Sequence, residues 1–168
     1  MIGVGAIVRA ALRGATVIAC DLDDEKLEGA KEVGATYTIN SATENVHERL
    51  AEITNGAMPD VVIEAVGAPP TYQMAINEVG FTGRVVCIGY AKADVSFQTK
   101  LFVQKELDIR GSRNAEPGDF RAVAKYMATH DVPYGKLITK VIKPEEAGET
   151  LAWWSQNPQK VFRILVEF

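Results

Sequence analysis

The chain has 168 residues, of which 47% are hydrophobic and 24% charged, a composition typical of a globular protein with a sizeable core and unlike that of a disordered chain. Lys and Arg number 18 against 22 Asp and Glu, so the net charge of −4 gives no reason to expect nucleic acid or an anionic membrane as a partner. No run approaches the roughly 18 apolar residues that span a bilayer, and the N-terminus lacks a secretion signal, so we expect a cytoplasmic protein.

Short β-branched runs alternate with helix-period segments through most of the chain. The runs are TVIAC (16–20), TYTIN (36–40), DVVIEAV (60–66), RVVCIG (84–89) and LDIRGS (107–112). Several are apolar without alternation, as strands covered on both faces are. Within DVVIEAV, Glu64 is an acid in an otherwise apolar run, and a buried acid needs a partner. The pattern predicts an α/β fold, a doubly wound parallel sheet, in residues 1–130.

The last part of the chain has a different order of elements. LITKVI (137–142), a helix that begins at Pro144, and KVFRILVEF (160–168) predict a strand, a helix and a strand. The two acids after Pro144 favour a helix start there, because they lie at the positive end of the helix dipole. This segment has no obvious place in the preceding sheet, so we treat residues 131–168 as a second structural unit.

The opening stretch MIGVGAIVRA contains a Gly-x-Gly pair, Gly3 and Gly5. In a dinucleotide-binding fold, such glycines form a turn that lets the backbone approach a pyrophosphate. Asp21 directly follows TVIAC, where an acid accepts hydrogen bonds from the adenosine ribose and repels a 2′-phosphate. The alternative is that Asp21 and Asp23 cap a helix beginning near Asp24, and the two roles are compatible. An acid at this position therefore favours NAD over NADP.

The phosphate loop departs from the dinucleotide fingerprint. Val8 stands where the fingerprint has a third glycine. Residues 6–16 are close to the lower limit of about 10–12 residues for a whole crossover between parallel strands. We therefore predict that the first strand, reduced to Met1 and Ile2, and the first helix, predicted over 6–13, are truncated.

Four stretches carry a wider resemblance: GATVIACDLDDEKLEGAKEVGATYTIN, DVVIEAVGAPPTYQMAINEVGFTGRVVCIGY, LDIRGS and KVFRILVEF. Together, and in this order, they resemble the medium-chain, zinc-type alcohol and polyol dehydrogenases. The branch most resembled is that of sugar-acid and polyol dehydrogenases, such as galactonate or sorbitol dehydrogenases. The resemblance implies that residues 1–130 are a Rossmann-like NAD-binding domain and that residues 131–168 are a segment of the catalytic domain.

The resemblance also implies a cofactor-binding role for individual residues. The backbone after the family's fifth strand meets the nicotinamide carboxamide, and an arginine of the last strand reaches the cofactor phosphates. The matching positions are Gly3 and Gly5 in the phosphate loop, Asp21 and Lys26 at the adenosine ribose, Val66 and Gly67 after the fourth strand, Ile88, Gly89 and Tyr90 after the fifth, Gly111 and Ser112 on the sixth, and Arg163. The alternatives are ordinary strand-end turns at Gly67 and Gly89 and a solvated Arg163.

The family's reaction also uses a zinc ion, which polarises the alcohol oxygen and is held by ligands of an N-terminal catalytic domain. The sequence offers no match to that domain. Its cysteines and histidines, Cys20, His47, Cys87 and His130, form no clustered ligand set, and we interpret both cysteines as buried thiols. We therefore expect neither catalytic residues nor a metal site in this chain.

Three functional hypotheses follow. The chain is part of a dehydrogenase that oxidises a secondary alcohol of a polyol or sugar acid to a ketone with NAD, and is active only with the missing half. Alternatively, it binds NAD without catalysis. In the third hypothesis it is a structural module with an impaired cofactor loop, and it forms a homodimer through the strand at 107–112, as the family often does.

Overall fold

The structure, a computed structural model, describes residues 2–157 and 160–168. Met1 lies outside the described residues, and with it part of the predicted first strand. The chain divides into two compact units, Ile2–Val123 and Ala124–Phe168. The assignment of residues 1–130 and 131–168 to a cofactor-binding and a catalytic domain stays a prediction.

Helices and parallel strands alternate through the first unit. In chain order they are α1 (Ile2–Ala11), β1 (Ile18–Asp21), α2 (Asp24–Glu32), β2 (Tyr37–Asn40), α3 (Val46–Ile53), β3 (Val61–Glu64), α4 (Pro69–Glu78), β4 (Arg84–Cys87), α5 (Lys100–Gln104), β5 (Asp108–Gly111) and α6 (Pro117–Thr129), which continues into the second unit. Strands β1 and β2 pair with each other, and β3, β4 and β5 form a second sheet in that order. Every pairing is parallel, so each strand returns through a crossover. All five predicted strands are confirmed, each a little shorter than its apolar run.

Each sheet carries its own buried cluster. The first joins Ala19, Leu27, Ala30 and Ala35, and the second joins Ala75, Ile76, Val79 and Val85. Helix α1 contacts both sheets. Its Ile7 packs against the first cluster, and its Gly3 faces Ala65, just after β3.

The predicted turn at Gly3 and Gly5 is wrong, because both glycines lie inside α1, which begins at Ile2. Val4 and Val8 fall one helical turn apart and are 9% and 2% exposed. Burying a valine contributes about 1.5–3 kcal/mol, whereas a glycine inside a helix costs about 1 kcal/mol, so the buried stripe offsets the glycines. The sequence IGVGAIVRAA therefore forms one helix rather than a strand end and a turn.

The prediction that both cysteines are buried is also wrong. Cys20 is exposed and Cys87 is half-buried. Successive side chains of a strand point to opposite faces, and on β1 it is Ala19 that faces the buried cluster. An apolar run alone does not say which of its two faces is covered.

The second unit contains the predicted strand, helix and strand. Strands β6 (Lys140–Ile142) and β7 (Ile164–Val166) pair in parallel, with α7 (Ala147–Gln156) between them in the chain. The predicted strand at 137–142 begins late, because Tyr134–Leu137 form a 3-10 turn. A further 3-10 turn, Pro144–Glu146, leads into α7 where the proline predicted a helix start.

Candidate cofactor-binding site

Most predicted site residues of the first unit lie at the carboxyl ends of its strands. In the second sheet the strands end in register, with Glu64 beside Cys87 and Cys87 beside Gly111. Asp21 ends β1, Val66 and Gly67 follow β3, Ile88, Gly89 and Tyr90 follow β4, and Gly111 and Ser112 end and follow β5. Open α/β sheets bind their ligands at this edge.

Asp21 is half-buried, and one of its two carboxylate oxygens can accept a hydrogen bond from a ligand. Its Oδ1 accepts a hydrogen bond from the Leu22 amide at 2.8 Å, and Oδ2 takes none from the described part of the chain. The helix cap is Asp23, whose Oδ1 accepts from the amides of Glu25 at 2.9 Å and Lys26 at 3.3 Å. The capping interpretation is confirmed for Asp23 and wrong for Asp21. Lys26 lies in the first turn of α2 and is half-buried.

The loops after β3 and β4 touch at two glycines. Gly67 has φ 83°, and a Cβ added there would lie 2.5 Å from the Tyr90 amide nitrogen. A Cβ added at Gly89 would collide with Glu64 Oε2 and the Gly67 amide and lie 2.8 Å from the Gly67 Cα. Side chains do not approach backbone this closely. Only glycine fits at both positions, and the cause is contact between the loops in addition to turn geometry.

Beneath this contact lies Glu64, which is 3% exposed. Its Oε1 accepts hydrogen bonds from the amides of Val66 at 3.0 Å and Gly67 at 2.8 Å, and from the Thr71 hydroxyl at 2.7 Å. Its Oε2 is buried without a hydrogen-bond partner among the described residues. The expectation that this acid needs a partner is confirmed for one oxygen only.

Tyr72 and Cys87, for which the sequence pattern predicted no role at a site, complete this cluster. The Tyr72 hydroxyl donates to the Gly89 carbonyl at 2.7 Å. Cys87 lies beside Glu64 on the neighbouring strand, and burial, followed by the negative charge of Glu64, raises the pKa of its thiol. A signal in the sequence could have located Thr71 and Tyr72, because both follow a Pro-Pro pair. Such a pair is typical of a helix start, and both residues lie in the first turn of α4.

The N-terminus of α1 lies close to the same edge. A Cβ added at Gly3 would lie 3.7 Å from the Ala65 Cβ, whereas one at Gly5 would have nothing within 4 Å. The first amides of a helix have no partner inside it, and they carry the positive end of its dipole. The two glycines therefore lie where a helix N-terminus approaches β3, although not in a turn.

The remaining predicted residues contribute less to the geometry. Tyr90 is 75% exposed, and the Arg113 guanidinium lies 5.9 Å from the centre of its ring. The Ser112 amide donates to the Cys87 carbonyl at 2.9 Å. Arg163 belongs to the second unit, where its carbonyl accepts from the Thr139 amide at 2.8 Å. Its role at the cofactor phosphates stays a prediction.

The remaining titratable side chains of the described residues form no further site of this kind. Across residues 2–157 and 160–168, no three His, Cys, Asp or Glu side chains lie together in a way that could hold a metal ion. His47 Nδ1 lies 2.7 Å from Glu78 Oε2, so this histidine pairs with an acid of α4. None of the described helices combines the length and apolarity needed to cross a membrane.

Comparison with known sequences gives a family match over most of the chain. The model for zinc-binding dehydrogenases matches residues 2–129. The uncharacterized zinc-type alcohol dehydrogenase-like protein of Haemophilus influenzae is 34% identical over 167 residues, which are 99% of this chain and 48% of that protein. Sorbitol dehydrogenase of Halalkalibacterium halodurans is 32% identical over 141 residues, 82% of this chain and 41% of the relative. The chain thus spans less than half the length of both relatives.

Solved structures of the same kind share the fold. The chain is similar to a short chain alcohol dehydrogenase of Escherichia coli CFT073 complexed with NADH, with a TM-score of 0.88, 25% identity and coverage of 99% of this chain and 49% of that one. It is also similar to a zinc-binding dehydrogenase of Sinorhizobium meliloti bound to NADP, with a TM-score of 0.81, 29% identity and coverage of 90% and 45%. These matches confirm the predicted α/β fold and the predicted family. The protein belongs to the zinc-binding dehydrogenase family, and it corresponds to the C-terminal half that carries the family's NAD-binding fold.

Proposed function

We propose that this chain binds NAD at the carboxyl edge of its parallel strands, as the cofactor-binding portion of a zinc-type alcohol or polyol dehydrogenase. The observation that carries the proposal is the contact between Gly67 and Gly89 at the carboxyl ends of β3 and β4, together with Asp21 at the carboxyl end of β1. Glycines that admit close backbone approach, together with an acid for a ribose, are what a dinucleotide site requires.

The two sheets divide the dinucleotide between them. Asp21, with Lys26 nearby in α2, takes the adenosine ribose. The pyrophosphate lies at the N-terminus of α1, where Gly3 and Gly5 leave the backbone uncovered. A dinucleotide fold holds one nucleotide on each half of the sheet, so the nicotinamide half falls to the loops after β3 and β4. The residues of those loops are Val66, Gly67, Ile88, Gly89 and Tyr90, with Gly111 and Ser112 as further contacts.

Cofactor choice follows from the charge of Asp21. NADP carries an added phosphate on the adenosine ribose, and a carboxylate beside that position repels it while accepting hydrogen bonds from the free hydroxyls of NAD. One similar structure holds NADH and another holds NADP, so relatives with this fold use both cofactors. We propose that Asp21 sets the preference of this chain for NAD.

The reaction proposed for the whole enzyme is hydride transfer from a secondary alcohol of a polyol or sugar acid to NAD, which yields the ketone and releases a proton. The sorbitol dehydrogenase among the relatives supports this substrate class. The family's zinc would supply polarisation of the alcohol oxygen. No acid, histidine or cysteine cluster of the described residues fits that ion, so we derive no step through it. We propose that this chain alone binds the cofactor without turnover.

Calorimetric titration with NAD and NADP tests the proposal. Asp21→Asn removes the charge at the ribose position, and Glu28→Gln is a matched control that removes an exposed acid from the side of α2. We expect Asp21→Asn to weaken NAD binding about tenfold, the effect of one lost hydrogen bond to a charged group, and to narrow the gap between NAD and NADP. Glu28→Gln should bind both nucleotides as the unmodified chain does. No heat at millimolar NAD, or equal NAD affinity in Asp21→Asn, would contradict the proposal.

A second candidate function rests on β5. This strand lies at the end of its sheet, and Ile109 on it is 40% exposed. An exposed strand edge pairs readily with another copy, so we propose a homodimer through the strand at 107–112. Sedimentation velocity tests it, because a monomer at every concentration would refute the dimer.

A further inference from the structure

A buried acid that the proposed cofactor site does not itself use lies directly beneath that site. Glu64 is the last residue of β3 and is 3% exposed. Desolvating a carboxyl group is costly unless it is hydrogen-bonded, and an apolar residue would fill the same space without that cost. Packing alone therefore does not explain why an acid is buried at position 64.

The carboxyl group connects three chain segments at one point. Its Oε1 accepts from the Val66 and Gly67 amides of the loop after β3, and from the Thr71 hydroxyl in the first turn of α4. Its Oε2 lies against Gly89 in the loop after β4, close enough that no side chain fits there. The carboxyl group thus holds the first loop through Oε1 and lies against the second loop, whose Ile88 and Gly89 amides donate to the Glu64 backbone carbonyl at 2.8 and 3.0 Å.

The two oxygens of the Glu64 carboxyl group differ in their hydrogen bonding. Three donors converge on Oε1, whereas Oε2 is buried and has no hydrogen-bond partner within residues 2–157 and 160–168. Tyr72, next to Thr71, donates to the Gly89 carbonyl, and Cys87 lies beside Glu64 on β4. The backbone of Gly89 is therefore held between the Tyr72 hydroxyl and the unpartnered oxygen of Glu64.

We propose that Glu64 is a positioning residue for the nicotinamide half of the cofactor. It acts by fixing the separation and orientation of the loops that contain Gly67 and Gly89, and it touches no reacting atom. This inference rests on the proposed NAD site. Because the adenosine half lies at Asp21 on the other sheet, Glu64 should influence the nicotinamide half alone.

The substitution Glu64→Gln tests this with little change in volume. If the amide oxygen replaces Oε1, it still accepts from Val66 and Gly67, but the amide NH₂ then replaces Oε2 against Gly89. If the glutamine amide takes the opposite orientation, its NH₂ group points at the Val66 and Gly67 amides and the Thr71 hydroxyl, which are themselves donors. Both orientations displace one of the two loops. Glu78→Gln is the matched control, because Glu78 is a partly buried acid of α4 that pairs with His47 away from this edge.

The readout is the affinity for two ligands, NAD and ADP-ribose, which is NAD without its nicotinamide. We expect Glu64→Gln to weaken NAD binding about tenfold and to change ADP-ribose binding by less than about twofold, while Glu78→Gln changes neither. A general loss of structure would weaken both ligands together. Far-UV circular dichroism of each variant checks that it folds.

The outcomes separate this inference from the proposed function. If the unmodified chain binds neither ligand, the proposed NAD site is wrong and the inference falls with it. If the unmodified chain binds both, and Glu64→Gln weakens both equally or neither, the positioning role alone is wrong. Should Glu64→Gln fail to fold, Thr71→Val removes one of the three donors and should show a smaller effect that is again confined to NAD. Equal loss of both ligands in Thr71→Val would then overturn the inference.

Discussion

Replacing Gly67 by alanine should destabilise the first unit more than the same change at Gly56. Both glycines have a positive φ, 83° at Gly67 and 82° at Gly56, which costs an L-residue about 1–2 kcal/mol. An added Cβ at Gly56 has nothing within 4 Å, whereas at Gly67 it would lie 2.5 Å from the Tyr90 nitrogen and 2.9 Å from its carbonyl carbon. Backbone cannot yield as a side-chain tip does, so the overlap adds about 1–3 kcal/mol. We expect a loss of about 1–2 kcal/mol for Gly56→Ala and about 2–5 kcal/mol for Gly67→Ala.

Urea denaturation followed by far-UV circular dichroism measures this difference. Tryptophan fluorescence is unsuitable, because Trp153 and Trp154 both belong to the second unit and the two glycines to the first. The difference between the variants isolates the contact between the loops after β3 and β4, since the φ contribution is common to both. Equal losses in free energy of unfolding would show that these loops do not touch, and would refute the site geometry built on them.

Two further predictions concern cysteine exposure and acid sensitivity. Burial raises the pKa of both thiols, so access decides which reacts first. Cys20 is exposed and Cys87 half-buried, and iodoacetamide should therefore alkylate Cys20 before Cys87 in the native chain, as peptide mass spectrometry would show. Equal rates would contradict the placement of β1. Hydrogen bonds from Arg110 and Arg84 hold the pKa of Asp108 below its ordinary value of 3.8, so the stability it contributes is present above that pH and is lost as the pH falls through the lower folded pKa. The stability gap between the unmodified chain and Asp108→Asn should therefore be constant near neutral pH and narrow below pH 3.8 in urea titrations, whereas a gap independent of pH would rule out this ion cluster.

The strands could be predicted from the sequence because short runs rich in β-branched residues, such as DVVIEAV and RVVCIG, have few interpretations other than a strand. Burial on both faces was not a reliable guide, since Val61 and Ile63 of β3 are 50% and 40% exposed. The opening helix could not be predicted, because a Gly-x-Gly pair is compatible with a turn or with a helix. Burial of Val4 and Val8 decided between them, and burial depends on the sheets that α1 meets.

Some residues of the candidate site could likewise be predicted from the sequence, and others could not. Asp21 at the end of its strand could be predicted from spacing, and the structure places it there. The contact of Gly67 with the loop of Gly89 depends on the register of β3 against β4, which no local pattern contains. Glu64 was recognisable as an acid in an apolar run, but its donors are mainly loop amides, which every residue other than proline possesses.

The most direct test of the account is to map NAD binding onto the chain by amide chemical shifts of the isotopically labelled protein. The account predicts saturable shifts that cluster at Leu22, Gly67 and Gly89, the residues that follow the carboxyl ends of β1, β3 and β4. ADP-ribose should shift Leu22 in the same way and affect Gly67 and Gly89 less. Saturation without shifts at this edge, or no shifts at millimolar NAD, would contradict the claim that these residues form a cofactor site.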